Sequence, residues 1–351
     1  MTPLLEIDHL SVELVIERRY QRVLQDVSLT LERAQVVALV GESGSGKSMT
    51  ARSVMNLLPP GGKMSGRIAF DGTPLLGARR RDWQRFRSVH ADMIFQDPRA
   101  SISPVHRIGD FLTEALVRNN GVRREEALER AASLLARIGI DDAGRRMRQY
   151  PHELSGGMLQ RMMIASVLLT GPELILADEP TTALDVTTQA DVVAILDDLR
   201  RERGMAMLFI THDLELAAAI SDRIAVMYAG YVVESATPAQ LHSRPMHPYT
   251  AALLHSRPHL HERTARLPQI PGRPLSAFEA PSGCPFQNRC PYVMPECTEI
   301  LPPSDEVDGR IVRCLRAREL ELGADPSAMA AAVAAPSGDQ PVTPGAAGAV
   351  E

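Results

Sequence analysis

The chain has 351 residues, 44% of them hydrophobic and 23% charged, with a formal net charge of −5. That length exceeds what one core usually fills, so two domains, or a domain and an extension, are expected. An acidic balance with only 4% aromatic residues argues against a nucleic-acid surface, which needs a basic footprint, and no apolar run approaches the ~20 residues of a membrane span.

Residues 4 to 40 read as short strands: Leu4–Leu10, Val12–Glu17, Val27–Leu31 and Val36–Val40. A further strand, Arg67–Phe70, precedes the turn Asp71-Gly72. The start, Met1 to Glu13, carries acids and no charged-then-apolar leader, so a cytoplasmic protein is expected. The pattern predicts an antiparallel flap beside a parallel nucleotide-binding sheet. Tyr20 is placed either to stack on an adenine or to be an ordinary surface tyrosine.

The rest of the chain is organised around Gly41-Glu42-Ser43-Gly44-Ser45-Gly46-Lys47-Ser48. It follows the apolar run Val36–Val40 and leads into Met49–Leu58, a predicted helix stopped by Pro59-Pro60-Gly61. Strand, G-x-x-x-x-G-K-S, helix is a phosphate loop in its required context. The glycines let successive N–H groups point at a polyphosphate, and the helix adds its positive end. Lys47 can reach the β and γ phosphates, and the Ser48 hydroxyl can join a Mg²⁺ shell.

Ala91–Pro98 contains a buried strand ending in Gln96, whose amide can contact both a metal-bound water and an attacking water. Residues 105 to 170 change character. Glu125 to Ile138 has helical periodicity, with Ala127, Leu128, Ala131, Leu134, Leu135 and Ile138 on one face. This helical insert ends in Leu154-Ser155-Gly156-Gly157-Met158-Leu159-Gln160-Arg161 and an apolar helix, Met162–Leu169. Ser155 can cap that helix, and the glycines leave N–H groups bare. A single nucleotide would not need two such helix ends in one subunit. A two-fold dimer would, each Ser-Gly-Gly facing the other subunit's phosphate loop.

Glu173-Leu174-Ile175-Leu176-Ala177-Asp178-Glu179 describes a central parallel strand with carboxylates at its C-terminal tip, where α/β sheets bind ligands. Asp178 would hold Mg²⁺ directly or through water, and Glu179 would polarise the attacking water. Met205–Asp213 is another buried strand, ending in His212 at the same sheet edge, which favours a γ-phosphate contact. Two strands follow, Arg223–Tyr228 and Tyr231–Glu234, joined by Ala229-Gly230 in a tight hairpin.

After Pro238 prolines rise and periodicity fades. Cys284, Cys290, Cys297 and Cys314 fall here as C-x5-C-x6-C-x16-C. No pair has the C-x2-4-C spacing usual for structural zinc. Four thiolates with wider gaps suit a [4Fe–4S] cluster, with zinc and four packed reduced thiols as the alternatives. The last residues are rich in Ala, Pro, Gly and Ser and read as a disordered tail.

In order, these motifs resemble the ATP-binding cassette ATPases. Gly41–Ser48 is similar to Walker A, Gln96 to the Q-loop, and Leu154–Arg161 to the family signature. Leu174–Glu179 resembles Walker B with its catalytic glutamate, Thr182-Ala183-Leu184-Asp185 the D-loop, and His212 the switch histidine. Phe95-Gln96-Asp97-Pro98, His247-Pro248-Tyr249-Thr250, Ile270-Pro271-Gly272 and Gly283-Cys284-Pro285-Phe286 further resemble the dipeptide, oligopeptide and nickel branch of importers. The resemblance implies a P-loop NTPase core, RecA-like, with an antiparallel β subdomain and a helical insert at about 98–170. Residues 1–235 would form the nucleotide-binding domain, 236–320 a small Cys-containing extension, and 321–351 the tail. It implies an ATPase that uses Mg²⁺, with Gly41, Ser43, Gly44, Ser45, Gly46, Lys47, Ser48 and Met49 on its own nucleotide. Ser155, Gly156, Gly157, Gln160 and Asp185 would complete the site of the opposing subunit. The implied partners are a second ABC ATPase, two permeases and a solute-binding protein, at the cytoplasmic face of the inner membrane. Peptides are the expected cargo, with nickel or another small solute as the alternative.

Overall fold

The computed structural model describes residues 2–181, 186–256 and 270–323. The chain is an α/β protein built on two sheets. Strands β1 (Leu5–Ile16), β2 (Arg19–Leu31), β4 (Lys63–Phe70) and β5 (Thr73–Pro74) form an antiparallel sheet in the order β2-β1-β4-β5. Leu4–Leu10 and Val12–Glu17, expected as two strands, are one. The pairing of β1 slips near His9, which sits in the left-handed region at φ 49°. An extra residue bulges there and the strand continues across it.

The second sheet runs β11 (Asp305–Val307), β12 (Arg310–Val312), β10 (Tyr231–Ala236), β9 (Arg223–Tyr228), β3 (Val36–Val40), β8 (Ala206–Thr211), β7 (Leu174–Asp178), β6 (Ala91–Ile94). From β9 to β6 all neighbours are parallel. Every residue of β3, β7 and β8 is buried, because a parallel sheet is covered on both faces and its strands read as unbroken apolar runs. The C-terminal tips of these strands therefore open at one edge, where the chemistry gathers. Ala229 and Gly230 both take positive φ, 46° and 85°, as a two-residue hairpin with the right twist requires.

Helix α1 (Lys47–Val54) leaves β3 through the glycine-rich loop, and α2 (Arg80–Arg85) lies beside the first sheet. The predicted helix over Met49–Leu58 starts earlier and ends sooner, since Asn56 adopts φ 51°. The insert contains α3 (Pro98–Ser101), α4 (Ile108–Arg118), α5 (Arg124–Arg137), α6 (Ala143–Arg148) and α7 (Gly156–Thr170). Ala127, Ala131, Leu134 and Leu135 of α5 are buried as the helical period demands. Leu134, Leu135 and Met163 share one core cluster with Ile175 and Phe209 of the sheet, so the insert is packed onto the strands. Helices α8 (Val186–Arg203) and α9 (Leu214–Ile220) complete this part.

Beyond β10 come α10 (Pro238–Ser243), α11 (Pro248–His255) and α12 (Pro295–Glu299). Tyr249 and Phe286, both from this region, pack on Tyr228 of β9 with ring centroids 4.6–5.3 Å apart. The hairpin β11–β12 extends the main sheet by pairing with β10. Three-residue strands leave no legible period, which is why the sequence reading missed them. No helix among the described residues is long and apolar enough to cross a membrane. The predicted tail lies, from residue 324, outside the described residues.

Candidate active site

The turn after β3 places two glycines where no side chain fits. A Cβ on Gly41, at φ 152°, would lie 2.2 Å from the Met227 carbonyl oxygen. One on Gly46, at φ 107°, would lie 2.6 Å from Leu24 Cδ2. Backbone N–H groups at the start of α1 have no partner within the helix, so the turn presents donors and a positive dipole end. Lys47 Nζ is folded back onto this loop, donating to the Gly41 and Glu42 carbonyls at 2.8 and 3.0 Å. Burial depresses the lysine pKa, while the charges of Glu179, Asp178 and Glu42 raise it. A polyphosphate would add negative charge within hydrogen-bond reach of this buried ammonium, whose hydrogen bonds here go to the Gly41 and Glu42 carbonyls.

A cleft of about 310 Å³ opens beside the loop. Ser43, Gly44, Gly46, Lys47, Ser48 and Met49 form one side of it, and Gln96 and Glu179 also line it. Ser45 is instead buried beneath the loop, its Oγ without a partner. Ser48 Oγ donates to Asp178 Oδ1 at 2.7 Å. Asp178 is 0% exposed, and burial raises its pKa. Its other oxygen, Oδ2, is buried with no hydrogen-bond partner. A hydroxyl joined to a half-satisfied buried carboxylate, next to a polyphosphate loop, is a donor set that fits Mg²⁺, a hard cation taking oxygen ligands.

Glu179 turns off the end of β7 at φ 44°, and its N–H donates to the Ile210 carbonyl at 3.0 Å. A left-handed glutamate is strained backbone, held here by the pairing of β7 with β8. Its Oε2 accepts from Gln96 Nε2 at 3.1 Å and lies 3.7 Å from His212 Nδ1. Five predicted residues from three strand ends and the loop thus converge: Lys47, Gln96, Asp178 and Glu179, with His212 reaching the Glu179 carboxylate.

Three expectations change. Tyr20 does not line the cleft. It lies within β2, 51% exposed, with the Lys63 ammonium 3.8 Å from its ring centre. Gln160, expected at the opposing nucleotide, is 0% exposed on α7 with both amide atoms unpartnered, so it cannot face outward. Ser155, by contrast, is exposed and caps α7 by accepting from the Met158 N–H at 3.3 Å, with Gly156 and Gly157 partly open beside it. None of these three lines the chain's own cleft. Asp185 lies outside the described residues.

The third change concerns the cysteines. All four are free thiols, two buried and two partly so. Cys284 and Cys297 are tied by a backbone hydrogen bond of 2.8 Å. Yet no group of three or more His, Cys, Asp or Glu among the described residues is arranged to hold a metal ion. The iron–sulfur expectation is therefore unsupported. Burial pushes Cys284 and Cys290 up to about 12 and Cys314 to about 11, and Cys284, Cys290 and Cys297 sit in an apolar cluster with Phe286 and Tyr228.

Sequence reasoning also missed how the extension grips the phosphate loop. His247 caps α11, its Nδ1 accepting from the Tyr249 N–H at 3.0 Å. Burial drives the His247 pKa down to about 3, so the ring stays neutral and able to accept. That cap aims the Tyr249 hydroxyl at the loop, where it accepts from the Glu42 N–H at 2.9 Å. Arg289 takes the Glu42 carboxylate bidentately at 2.6 and 3.1 Å, and its Nε donates to the Pro271 carbonyl at 2.8 Å. Ser276, Ala277 and Phe278 line the cleft itself. The one available signal was His-Pro-Tyr-Thr, whose His before Pro marks a capped helix start.

A phosphate loop, a strand-tip carboxylate pair, a glutamine and histidine on one carboxylate, and an outward-facing Ser-Gly-Gly helix cap define an ATPase of the ATP-binding cassette class. Residues 24–182 match the family described as "ABC transporter", and residues 233–297 match "Oligopeptide/dipeptide transporter, C-terminal region". The oligopeptide transport ATP-binding protein OppD of Salmonella typhimurium is 41% identical, with 89% of this chain and 93% of that protein covered. The dipeptide transport ATP-binding protein DppD of Bacillus subtilis is 40% identical over 90% of this chain and 95% of its own length. Among solved structures, the dimeric ATP-binding cassette MJ0796 in a post-hydrolysis state with ADP and Pi aligns with a TM-score of 0.61 at 25% identity. It covers 67% of this chain and 98% of its own. The chain belongs to the ABC transporter ATP-binding subunits, in the oligopeptide/dipeptide branch, and is an ATPase.

Proposed function

We propose that the chain powers import of peptides through a membrane permease pair, by hydrolysing ATP at the cleft between the phosphate loop and Glu179. The observation that carries the catalytic part is the shared contact of Gln96 and His212 with one oxygen of Glu179, in the cleft beside the hydrogen-bonded Ser48–Asp178 pair. Lys47 and the loop N–H groups bind the β and γ phosphates. Ser48 and Asp178 hold Mg²⁺, which when bound neutralises charge on the phosphate oxygens. Glu179 accepts a proton from the attacking water as its oxygen bonds to the γ-phosphorus and the bond to the β-phosphate oxygen breaks, leaving ADP and phosphate. His212 steadies that carboxylate and contacts the γ-phosphate, and Gln96 orients the water.

Ser155 is exposed, Gly156 and Gly157 are partly open, and none lines the chain's own cleft, which supports a site completed by a second ATPase subunit. The branch membership supports two permeases and a solute-binding protein as the other partners, with the subunit peripheral at the cytoplasmic face of the inner membrane. Peptide cargo rests on the relatives' names and the matching C-terminal region. The test is phosphate release by the assembled transporter in vesicles, with and without peptide-loaded binding protein. Glu179→Gln should bind ATP, lower turnover by a factor of 100 or more, and trap a closed dimer. Near wild-type turnover would refute the assignment of the base, and peptide-independent turnover the assignment of cargo.

A further inference from the structure

The apolar end of the cleft has no aromatic ring from the first sheet. Tyr20 is engaged by Lys63 and stands outside. The ring that lines the cleft comes from the C-terminal extension. Phe278 is 47% exposed, leaving part of its ring open to the cleft it lines. Ile16 and Val23 supply the other apolar lining.

The turn that carries Phe278 is fixed rather than loose. Its neighbour Ala277 is 3% exposed and belongs to the main core cluster. Gln25 Nε2 donates to the Ala277 carbonyl at 3.2 Å, tying the turn to β2. Glu279 accepts from the Ser276 N–H at 2.9 Å and takes Arg273 bidentately at 2.9 and 2.6 Å. An exposed ring on an anchored turn, beside a phosphate loop, is a platform already positioned, so little ordering opposes binding.

We propose that Phe278 is the surface on which the base of the bound nucleoside triphosphate stacks, so that the C-terminal extension completes the nucleotide pocket. This rests on the reading of the cleft as the ATP site. Stacking reads the face of a base and not its edge. ATP and GTP should therefore depend on Phe278 alike, and a ligand with no base should not depend on it.

The experiment measures dissociation constants of the full chain for ATP, GTP and inorganic tripolyphosphate, each with Mg²⁺. Phe278→Ala should weaken ATP and GTP by about tenfold, the scale of one base–aromatic stack, and leave tripolyphosphate unchanged. Phe278→Trp should restore both nucleotides and have its fluorescence quenched by ATP, against a background of one buried native tryptophan, Trp83. Unchanged ATP affinity in Phe278→Ala, with Tyr20→Ala losing it instead, would overturn the proposal. Lys47→Ala separates the two levels. If it abolishes binding of ATP and tripolyphosphate while Phe278→Ala alters neither, only the stacking proposal fails. If Lys47→Ala leaves both intact, the ATP-site reading fails with it.

Discussion

Replacing Arg289 by methionine tests whether the extension holds the phosphate loop in place. The Arg289 side chain is 4% exposed and that of Glu42 21%, and they share two hydrogen bonds of 2.6 and 3.1 Å. Removing one partner of a fully buried pair costs about 3–5 kcal/mol, because the other charge is left stranded. Glu42 keeps some water, so about 2–3 kcal/mol is expected here. At about 2–4 °C per kcal/mol, the thermal midpoint should fall by about 4–12 °C. Glu42→Gln together with Arg289→Met should recover part of the loss, with a coupling of about 1–2 kcal/mol in a double-mutant cycle. Tripolyphosphate affinity should fall with stability, since Glu42 lies inside the loop that binds it. The assays are differential scanning calorimetry and a phosphate-ligand titration on all four variants. A midpoint within 1 °C of wild type (roughly 0.5 kcal/mol) for Arg289→Met, with no coupling, would refute the reasoning.

Three further outcomes are expected. Gly41→Ala should abolish nucleotide binding, since its Cβ would meet the Met227 carbonyl oxygen at 2.2 Å and the loop would have to move; an equilibrium titration with ATP decides this, and retained affinity would mean the loop is not rigid. Burial lifts the Asp92 carboxyl to about 6, against hydrogen bonds from the Met93 N–H and Thr170 hydroxyl. The folded state thus binds the proton more tightly than the unfolded one, so this group's contribution is present below about pH 4 and is lost as pH rises through 6. Asp92→Asn should remove that slope and stabilise the protein at pH 7.5 by about 1–3 kcal/mol, read from urea unfolding at pH 5 and 7.5; a parallel slope in the variant would contradict it. Native Cys284 and Cys290 should react with maleimide about a thousandfold more slowly than free cysteine at pH 7.5, because so little of them is thiolate, and both should react once unfolded; mass spectrometry of timed samples reports this, and fast native labelling of Cys284 or Cys290 would refute it.

The amino-acid order carried the central machinery because each part is local. A glycine-rich turn between a buried strand and a helix, and carboxylates at the tip of an apolar strand, are fixed by neighbours within a few residues of one another. The helical insert was legible for the same reason, through the 3.6-residue period of α5. Where the reading of single residues failed, the deciding contacts were remote. Tyr20 stands near the right place along the chain, yet the pairing of β1 with β2 sets it outside the cleft under Lys63. Gln160 belongs to a motif that faces outward, yet α7 turns that position into the core.

The extension shows the division most clearly. Its cysteine spacing suggested a metal, but spacing says nothing of where four side chains point, and no group of three or more potential ligands is arranged to hold one among the described residues. Arg289 and Glu42 lie 247 positions apart, and Phe278 reaches the cleft only because Ala277 is anchored to β2. Short-range chemistry therefore decided that this chain binds and cleaves a nucleoside triphosphate. Long-range packing alone decided which distant side chains brace that site, since only folding brings a proline-rich segment without periodicity against the loop it supports.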